Sequence, residues 1–498
     1  MEVFHYLGYG FAVALEPMNL LYGFVGVLVG TLIGVLPGIG PPGALGILLP
    51  ASYYLPPVSS MIMLSGIYYG AMYGGSTASI LVNIPGEAAS VVTCLDGYQM
   101  ARQGRAGPAL GIAAFGSFIA GTLGICGLIV LAPPLASFAL RFGPPEYFAL
   151  MVSGLVVLSY LTYGTVIKSL MMAAIGLILG AVGNDTITGM ARYTFNTTVL
   201  SDGIGFIPVV MGLFGVAEVL ASIKEEARDV FKTSVRGLLP SRKDWQESVG
   251  AIARGSGLGF LLGVLPGGGA VLASFVSYAV EKRVSRNPEN FGKGAIAGVA
   301  GPESANNAAS SGAFIPLLSL GIPSNAATAI LLGALLIHGI QPGPLLMRNE
   351  PSLFWGVIAS MYIGNIMLLI LNLPLIGLWI KLLKVPYRLL FPVILLFCLL
   401  GVYSVNSSAA EVVIMVIFGL IGYLLRQYRF EPTPLVLALV LGPMLEVNFR
   451  QSLILSHGDL TVFFRHPISA ALLLMAAVLL LYPVIVDYLN KKRRIANA

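Results

Sequence analysis

Small polar residues collect at two places in an otherwise apolar chain. The first holds Ser76, Thr77, Ser79, Asn83, Glu87 and Ser90. The second holds Glu303, Ser304, Asn306, Asn307, Ser310, Ser311, Ser324, Asn325 and Thr328. Hydroxyls, amides and two carboxylates, with no Lys or Arg among them, suit weak and reversible capture. An interrupted helix would add backbone N–H groups that attract a carboxylate, and freed carbonyls that suit Na⁺. Any single Ser, Thr or Asn also has a structural reading, as a back-bonded hydroxyl or as glue between helices. Glu87, Glu303, Asn306 and Asn307 fit that reading less well, because a carboxylate within a membrane is costly and usually faces a pathway.

The elements that would position these residues are helix breaks, and they occur twice. Gly26, Gly30, Gly34 and Gly38 stand at four-residue spacing and end in GVLPGIG (34–40). Gly255, Gly259, Gly263 and Gly267 repeat the stripe 229 residues later and end in GVLPGGG (263–269). Such stripes let two transmembrane helices approach at backbone distance. Pro37-Gly38 and Pro266-Gly267, with Gly40 and Gly268 beside them, then end each helix, since Pro lacks an N–H and Gly a Cβ. A second pair follows in the same order. GGSTASILVNIPGEAAS (74–90), with Pro85 and Gly86, matches GAFIPLLSLGIPSNAAT (312–328), with Pro323, at an offset of 238. Two motif pairs in the same order, with offsets that differ by nine residues, lead us to expect a duplicated unit.

Composition sets the environment. Only 10% of the 498 residues are charged, against about 25% in soluble domains. With 57% hydrophobic residues this is an all-α polytopic membrane protein. At ~20 residues per crossing, the apolar stretches between 18 and 488 give roughly 10–13 spans. We divide the chain into an N-terminal segment (1–17), a first repeat half (18–222), a polar cytoplasmic linker (223–248), a second repeat half (249–446), and a C-terminal span with a basic tail (447–498). The linker carries six basic and five acidic residues. The connection 50–60 is uncharged, whereas its counterpart 281–294 holds four basic residues; Arg102 and Arg105 follow the second motif of copy one, and only Arg348 that of copy two. Basic loops stay cytoplasmic, so the copies are expected to be inverted, with substrate and ion sites near the midplane.

Other chemistries are weakly supported. GIGPPG (38–43) satisfies a dinucleotide fingerprint but lacks the strand and soluble βαβ unit that give it meaning. Cys94, Cys126 and Cys398 are far apart, as are the four histidines, so no metal centre or redox pair is expected. His338 precedes Gly339 at an expected helix end, a structural place. No HExxH or GxSxG motif accompanies it, and an intramembrane enzyme is the weakest class, behind a self-sufficient transporter or a channel. The formal charge of +6 is spread over loops and the C-terminus, which argues against nucleic acid as a partner. Met1-Glu2 has no basic n-region, and no cleaved signal peptide is expected.

GVLPGIGPPGALGILLP (34–50), the segment 73–117 around NIPGEAAS, and the segment 292–344 around GPESANNAASS and LGIPSNAAT together resemble one family. It is the large membrane subunit of the bacterial tripartite tricarboxylate transporters, the TctA family, and the likeness extends over about residues 18–440. The resemblance implies an importer of citrate-like tri- or dicarboxylates in the cytoplasmic (inner) membrane, driven by a cation gradient. The coupling ion would be Na⁺ or H⁺, with hydroxyl-rich breaks favouring Na⁺, and no other cofactor. It implies two partners, a small membrane subunit (TctB-like) and a periplasmic solute-binding protein (TctC-like), besides membrane lipid. The implied pathway motifs are Pro37-Gly38, Asn83 with Pro85-Gly86-Glu87, Pro266-Gly267, Glu303 with Asn306-Asn307, and Pro323. Where the family commonly has Gly after the Pro of LGIP, this chain has Ser324-Asn325, a departure that bears on ligand preference.

Overall fold

In the computed structural model, which describes residues 2–36, 40–161, 165–185, 187–222, 237–265, 269–383 and 387–496, the first helix (α1, Glu2–Ala14) stops ahead of Pro17. Pro17 then opens α2 (Pro17–Val35), where its missing N–H costs nothing. α3 (Gly40–Tyr53) and α4 (Pro57–Val82) follow. Ser59 at the start of α4 donates to Asn19 at the start of α2 (2.6 Å). The chain has therefore returned to the end from which it set out, and α2–α3 is a hairpin rather than a crossing. Its tip, with Pro37 and Gly38, lies outside the described residues. Beyond α4 a break leads to α5 (Val91–Arg102) and the long α6 (Ala106–Ala139).

Next come α7 (Pro144–Leu161) and α8 (Val166–Gly180), then α9 (Phe206–Val210), which passes through a π-helical stretch into α10 (Ala217–Ser222). α11 (Arg242–Val264) begins inside the interval read as linker, because Ser241 and Asp244 cap its first turn reciprocally. The linker's residues 223–236 lie outside the described residues. α11 and α12 (Gly269–Val284) form a second hairpin, held by an ion pair from Arg254 to the buried Glu281 (2.6 Å). Its tip, Pro266, Gly267 and Gly268, is again outside the described residues. α13 (Ala297–Gly312) runs into α14 (Phe314–Leu320); a break leads to α15 (Ala326–Ile337), followed by α16 (Leu346–Asn349) and α17 (Pro351–Asn372). His338 ends α15 and pairs with Ser60 (3.1 Å).

The duplication holds at the level of packing. A Cβ on Gly26, Gly30 or Gly34 would overlap the carbonyls of Met63, Ile67 and Ala71; on Gly255, Gly259 or Gly263 it would overlap those of Gly301, Ala305 and Ala309. Both sets of partners are offset by 238. The two copies are also inverted. The Tyr68 ring packs at a tilt against Phe314, whereas Ser76, further along α4, reaches back to Glu303, so the equivalent helices α4 and α13–α14 run antiparallel. α6 and α17 do the same: Asn365 donates to the carbonyl of Phe118 (2.9 Å), while Tyr362 meets Cys126 (3.1 Å). Equivalent helices of a parallel repeat would run the same way. The observed correspondence covers α2–α6 and α11–α17.

At one end of this assembly Asp96 of α5 crosses to the other copy. Its Oδ1 accepts the N–H groups of Gly292, Gly294 and Ala295 (2.8–2.9 Å), and its Oδ2 the Tyr278 hydroxyl (2.9 Å). Gln103 donates to the carbonyl of Lys293 beside it (2.7 Å). Arg102 and the basic segment 282–293 therefore share an end.

Five described helices are long and apolar enough to cross a membrane: Pro17–Val35, Ala106–Ala139, Pro351–Asn372, Ala409–Gln427 and Thr433–Leu455. Shorter apolar helices accompany them, and about 80% of the protein is helical. The chain forms two compact units. One holds Met1–Ala139 and Phe206–Leu424, and so both copies; it is completed by α18 (Ile376–Leu382), α19 (Tyr387–Asn406) and α20 (Ala409–Gln427). The other holds Leu140–Gly205 and Leu425–Ala498, with α21 (Thr433–Leu455), α22 (Val462–Arg465) and α23 (Pro467–Ala496). Within the second unit a two-residue ladder, Gly183–Asn184 against Ala191–Arg192, is tied to α21 by ion pairs from Arg192 to Glu446 (2.7 Å) and from Arg450 to Asp185 (2.6 Å).

Candidate functional site

Each copy builds its break in the same way. α4 ends at Asn83 in the left-handed region (φ 56°), a conformation that Asn tolerates better than most residues. α14 ends at Gly321 (φ 71°), 238 residues on. Four residues later each chain restarts with a reciprocal cap. In copy one Glu87 Oε2 accepts from Ala89 N–H (2.9 Å), and Ser90 Oγ receives the Glu87 N–H (3.4 Å). In copy two Asn325 Oδ1 accepts from Thr328 N–H (3.0 Å), and Thr328 Oγ1 receives the N–H groups of Ser324 and Asn325 (both 3.0 Å). The equivalent of Glu87 is thus Asn325. Each cap faces the far side of its own hairpin tip, since Cβ atoms placed on Gly40 and Gly269 would touch Glu87 and Asn325 at 4.0 and 3.8 Å. Gly86 lies so close to the carbonyl of Gly34 and to Gly75 that no side chain fits there. Pro85 and Pro323 withhold an N–H in the middle of each break.

Glu303 sits elsewhere. It lies within α13, more than a dozen residues ahead of the break, at a position equivalent to Ser65. Its carboxylate is fully buried and is held by the opposite copy. Oε2 accepts from the Ser76 hydroxyl (2.5 Å) and from Asn306 Nδ2 (3.3 Å); Oε1 accepts from the Thr93 hydroxyl. Asn307 donates to Ser117 Oγ (2.8 Å) and to the Glu303 carbonyl (3.0 Å). Among the described residues no Lys or Arg pairs with Glu87 or Glu303, whereas Glu281 and Asp244 do have arginine partners.

The structure thus gathers Ser76, Glu303, Asn306 and Asn307 in one cluster, and places Glu87 with Ser90, and Asn325 with Thr328, in two others. Thr77 and Ser76 line a crevice with Tyr73 and Ser117, and Asn307 lines a second with Tyr69, Ser310 and Asn365. Each has room for about one water-sized sphere, so as they stand these crevices suit a water or a bare cation and nothing larger. Ser324 is buried and its hydroxyl has no partner among the described residues. Sequence reading missed Tyr68, whose hydroxyl accepts from Asn325 Nδ2 (3.1 Å), and Thr93, Ser117 and Asn365. Thr93 had one signal: it stands a helical turn beyond Ser90 on the same face.

Inverted copies, each with a hairpin and a broken helix at a shared interface, define a polytopic membrane protein with an inverted-repeat architecture of the kind that transporters use. Residues 20–437 match the Tripartite tricarboxylate transporter TctA family, and the chain belongs to that family as a large membrane subunit. It is 53% identical over 489 residues, 97% of each chain, to a protein of Agrobacterium vitis described as an "uncharacterized 52.8 kDa protein in TAR-I ttuC' 3'region". A second Agrobacterium vitis protein, described as lying in a TAR-II ttuC' 3'region, is 56% identical over 230 residues, 46% of this chain and 95% of that one. No solved structure matches the chain.

Proposed function

We propose that the chain is the permease of a binding-protein-dependent importer of citrate-like tri- or dicarboxylates in the bacterial inner membrane. A cation gradient, of Na⁺, drives it through alternating access. A periplasmic solute-binding protein delivers the substrate, and a small membrane subunit completes the complex. The observation that carries this reading is the pair of inverted, capped helix breaks lined by amides, hydroxyls and the Glu87 carboxylate, with Glu303 buried between the copies and neither acid paired to a Lys or Arg among the described residues. Restarted helices offer N–H groups to an anion, and uncompensated acid in an apolar setting calls for a positive ion. The basic end that holds Arg102 and Arg286 supports a cytoplasmic assignment for that face.

The test is reconstitution of the three components in liposomes. Carboxylate should accumulate only with an inward Na⁺ gradient and the binding protein present. Uptake that needs neither would identify a channel or a self-sufficient carrier. A second test addresses orientation: single cysteines at Ser59 and Arg286 should label from opposite sides of the membrane, and one at Arg102 from the side of Arg286.

A further inference from the structure

The two breaks share a backbone plan but differ in three chemical details. The first concerns the side chain at the cap. Glu87 is 6% exposed, one of its oxygens is engaged by Ala89 N–H, and Oε1 has no partner among the described residues. At the equivalent place Asn325 is neutral and both of its side-chain polar atoms are used, Oδ1 by Thr328 and Nδ2 by Tyr68.

The second concerns the preceding helix end. α14 is closed: Gly321 N–H donates to Leu317 O (3.2 Å), Ile322 N–H to Pro316 O (3.1 Å) and Gly343 N–H to Leu318 O (3.3 Å). At Asn83 none of these closing bonds forms among the described residues. Among the described residues the chain that follows gives the last carbonyls of α4 no closing donor, and they stand at the negative end of a 26-residue helix.

The third is the residue after the proline. Gly86 gives way in copy two to Ser324, a buried hydroxyl without a partner among the described residues, next to the N-terminus of the 12-residue α15.

From these differences we infer that the breaks divide the work of symport: the first binds the coupling Na⁺, with Glu87 Oε1 as its anionic ligand, and the second binds the substrate carboxylate through Ser324 and the α15 N-terminus. This rests on the cation-coupled import proposed above. Glu303 does not compete for the ion, because both of its oxygens already accept hydrogen bonds from Ser76, Thr93 and Asn306. A free carboxylate oxygen and open helix carbonyls, offered by one and the same break, are a hard-oxygen set for Na⁺. A donor hydroxyl beside restarted N–H groups, with the acid replaced by an amide, is a set for an anion.

The experiment uses purified full-length protein and the reconstituted three-component complex. Na⁺ is titrated against choline at fixed pH with thermal unfolding as the readout, and uptake gives half-saturation for Na⁺ and for substrate. Wild type should be stabilised by Na⁺. Glu87→Gln should lose that stabilisation, with Na⁺ half-saturation raised at least tenfold, and should still exchange substrate across the membrane without accumulating it. Ser324→Ala should raise substrate KM several-fold and leave Na⁺ half-saturation at the wild-type value. If Glu87→Gln does not insert, Glu87→Asp serves, with a weakened but present Na⁺ response. A Glu87→Gln protein with wild-type Na⁺ dependence overturns the assignment, as does a Ser324→Ala defect in Na⁺ rather than substrate. A wild type that ignores Na⁺ and responds only to a pH gradient overturns the Na⁺ reading itself, a result distinct from either variant's.

Discussion

Two buried carboxylates cross from one copy into the other, Asp96 from the first into the second and Glu303 from the second into the first. Both are shielded from solvent and both accept several hydrogen bonds. Their donors differ in kind. Asp96 takes three main-chain N–H groups of one loop, whose positions are set by the backbone, and a single phenol. Glu303 takes side-chain hydroxyls and an amide, each free to turn about its own χ angles. A carboxylate fixed to backbone is an anchor, and one fixed to rotatable side chains can exchange partners when helices slide. The location agrees with this: Asp96 lies at the basic end, Glu303 in the polar interior next to the crevices.

The largest effect should come from Asp96. Asp96→Ala leaves three N–H groups unpaired at about 1–3 kcal/mol each, and inserted, folded protein measured by detergent-resistant size exclusion should nearly vanish. Asp96→Asn, which retains one acceptor, should lower the unfolding temperature while leaving residual transport. Glu303→Gln should show the opposite split. Its shape and one acceptor persist, so unfolding should shift little, at about 1 kcal/mol, while uptake per inserted molecule falls at least tenfold. If Glu303→Gln unfolds more readily than Asp96→Asn but transports better, the comparison is broken. A smaller effect is expected from Thr93→Val, which removes one donor to Glu303: a few-fold loss of uptake per inserted molecule.

Asp185 sharpens the contrast as a carboxylate that is paired to arginines, Arg450 and Arg192. Thr188 N–H, then Arg450 and Ile187 N–H, hold its carboxyl well below the usual carboxylate range. A depressed group contributes stability that is present above its unfolded value and is lost as pH falls through the folded one. Hydrogen exchange at residues 187–192 should therefore be slow at neutral pH and quicken only in strong acid, below the ordinary Asp range. Quickening already near pH 6 would mean that the ladder is held by something else.

The duplication was legible because glycines that let backbones touch cannot drift, so their spacing survives in both copies. The polarity of the loops was enough to suggest inversion for the same reason that basic segments resist translocation. The hairpins were not legible: Pro37-Gly38 says that a helix ends, but only the contact of Ser59 with Asn19 says that the chain turns back. That the two acids, Glu87 and Glu303, hold different places in their copies was not legible either. The offset of 238 carries Glu87 onto Asn325, and composition drew attention to the two acids instead of their register. Thr93, Ser117 and Asn365 are single polar residues in ordinary helix sequence, and only the packing of α5, α6 and α17 gives them a shared purpose.

Every residue of α4 from Ser59 to Leu81 is buried in protein, and α13–α14 is likewise sheathed from Gly298 to Ser319. Such helices have no lipid-facing stripe to maintain, which is why they tolerate Ser, Thr, Asn and Glu. The consequence concerns how the chain is made. A segment this polar gains little from lipid on its own, so each core helix enters the bilayer stably only where neighbours already stand to receive it. α2 and α3 precede α4, and α11 and α12 precede α13, in the order of synthesis. Each hairpin is therefore a cradle laid down just ahead of the helix it shelters. A nascent chain stopped before its second hairpin would hold the first core helix half covered, waiting for a partner still on the ribosome.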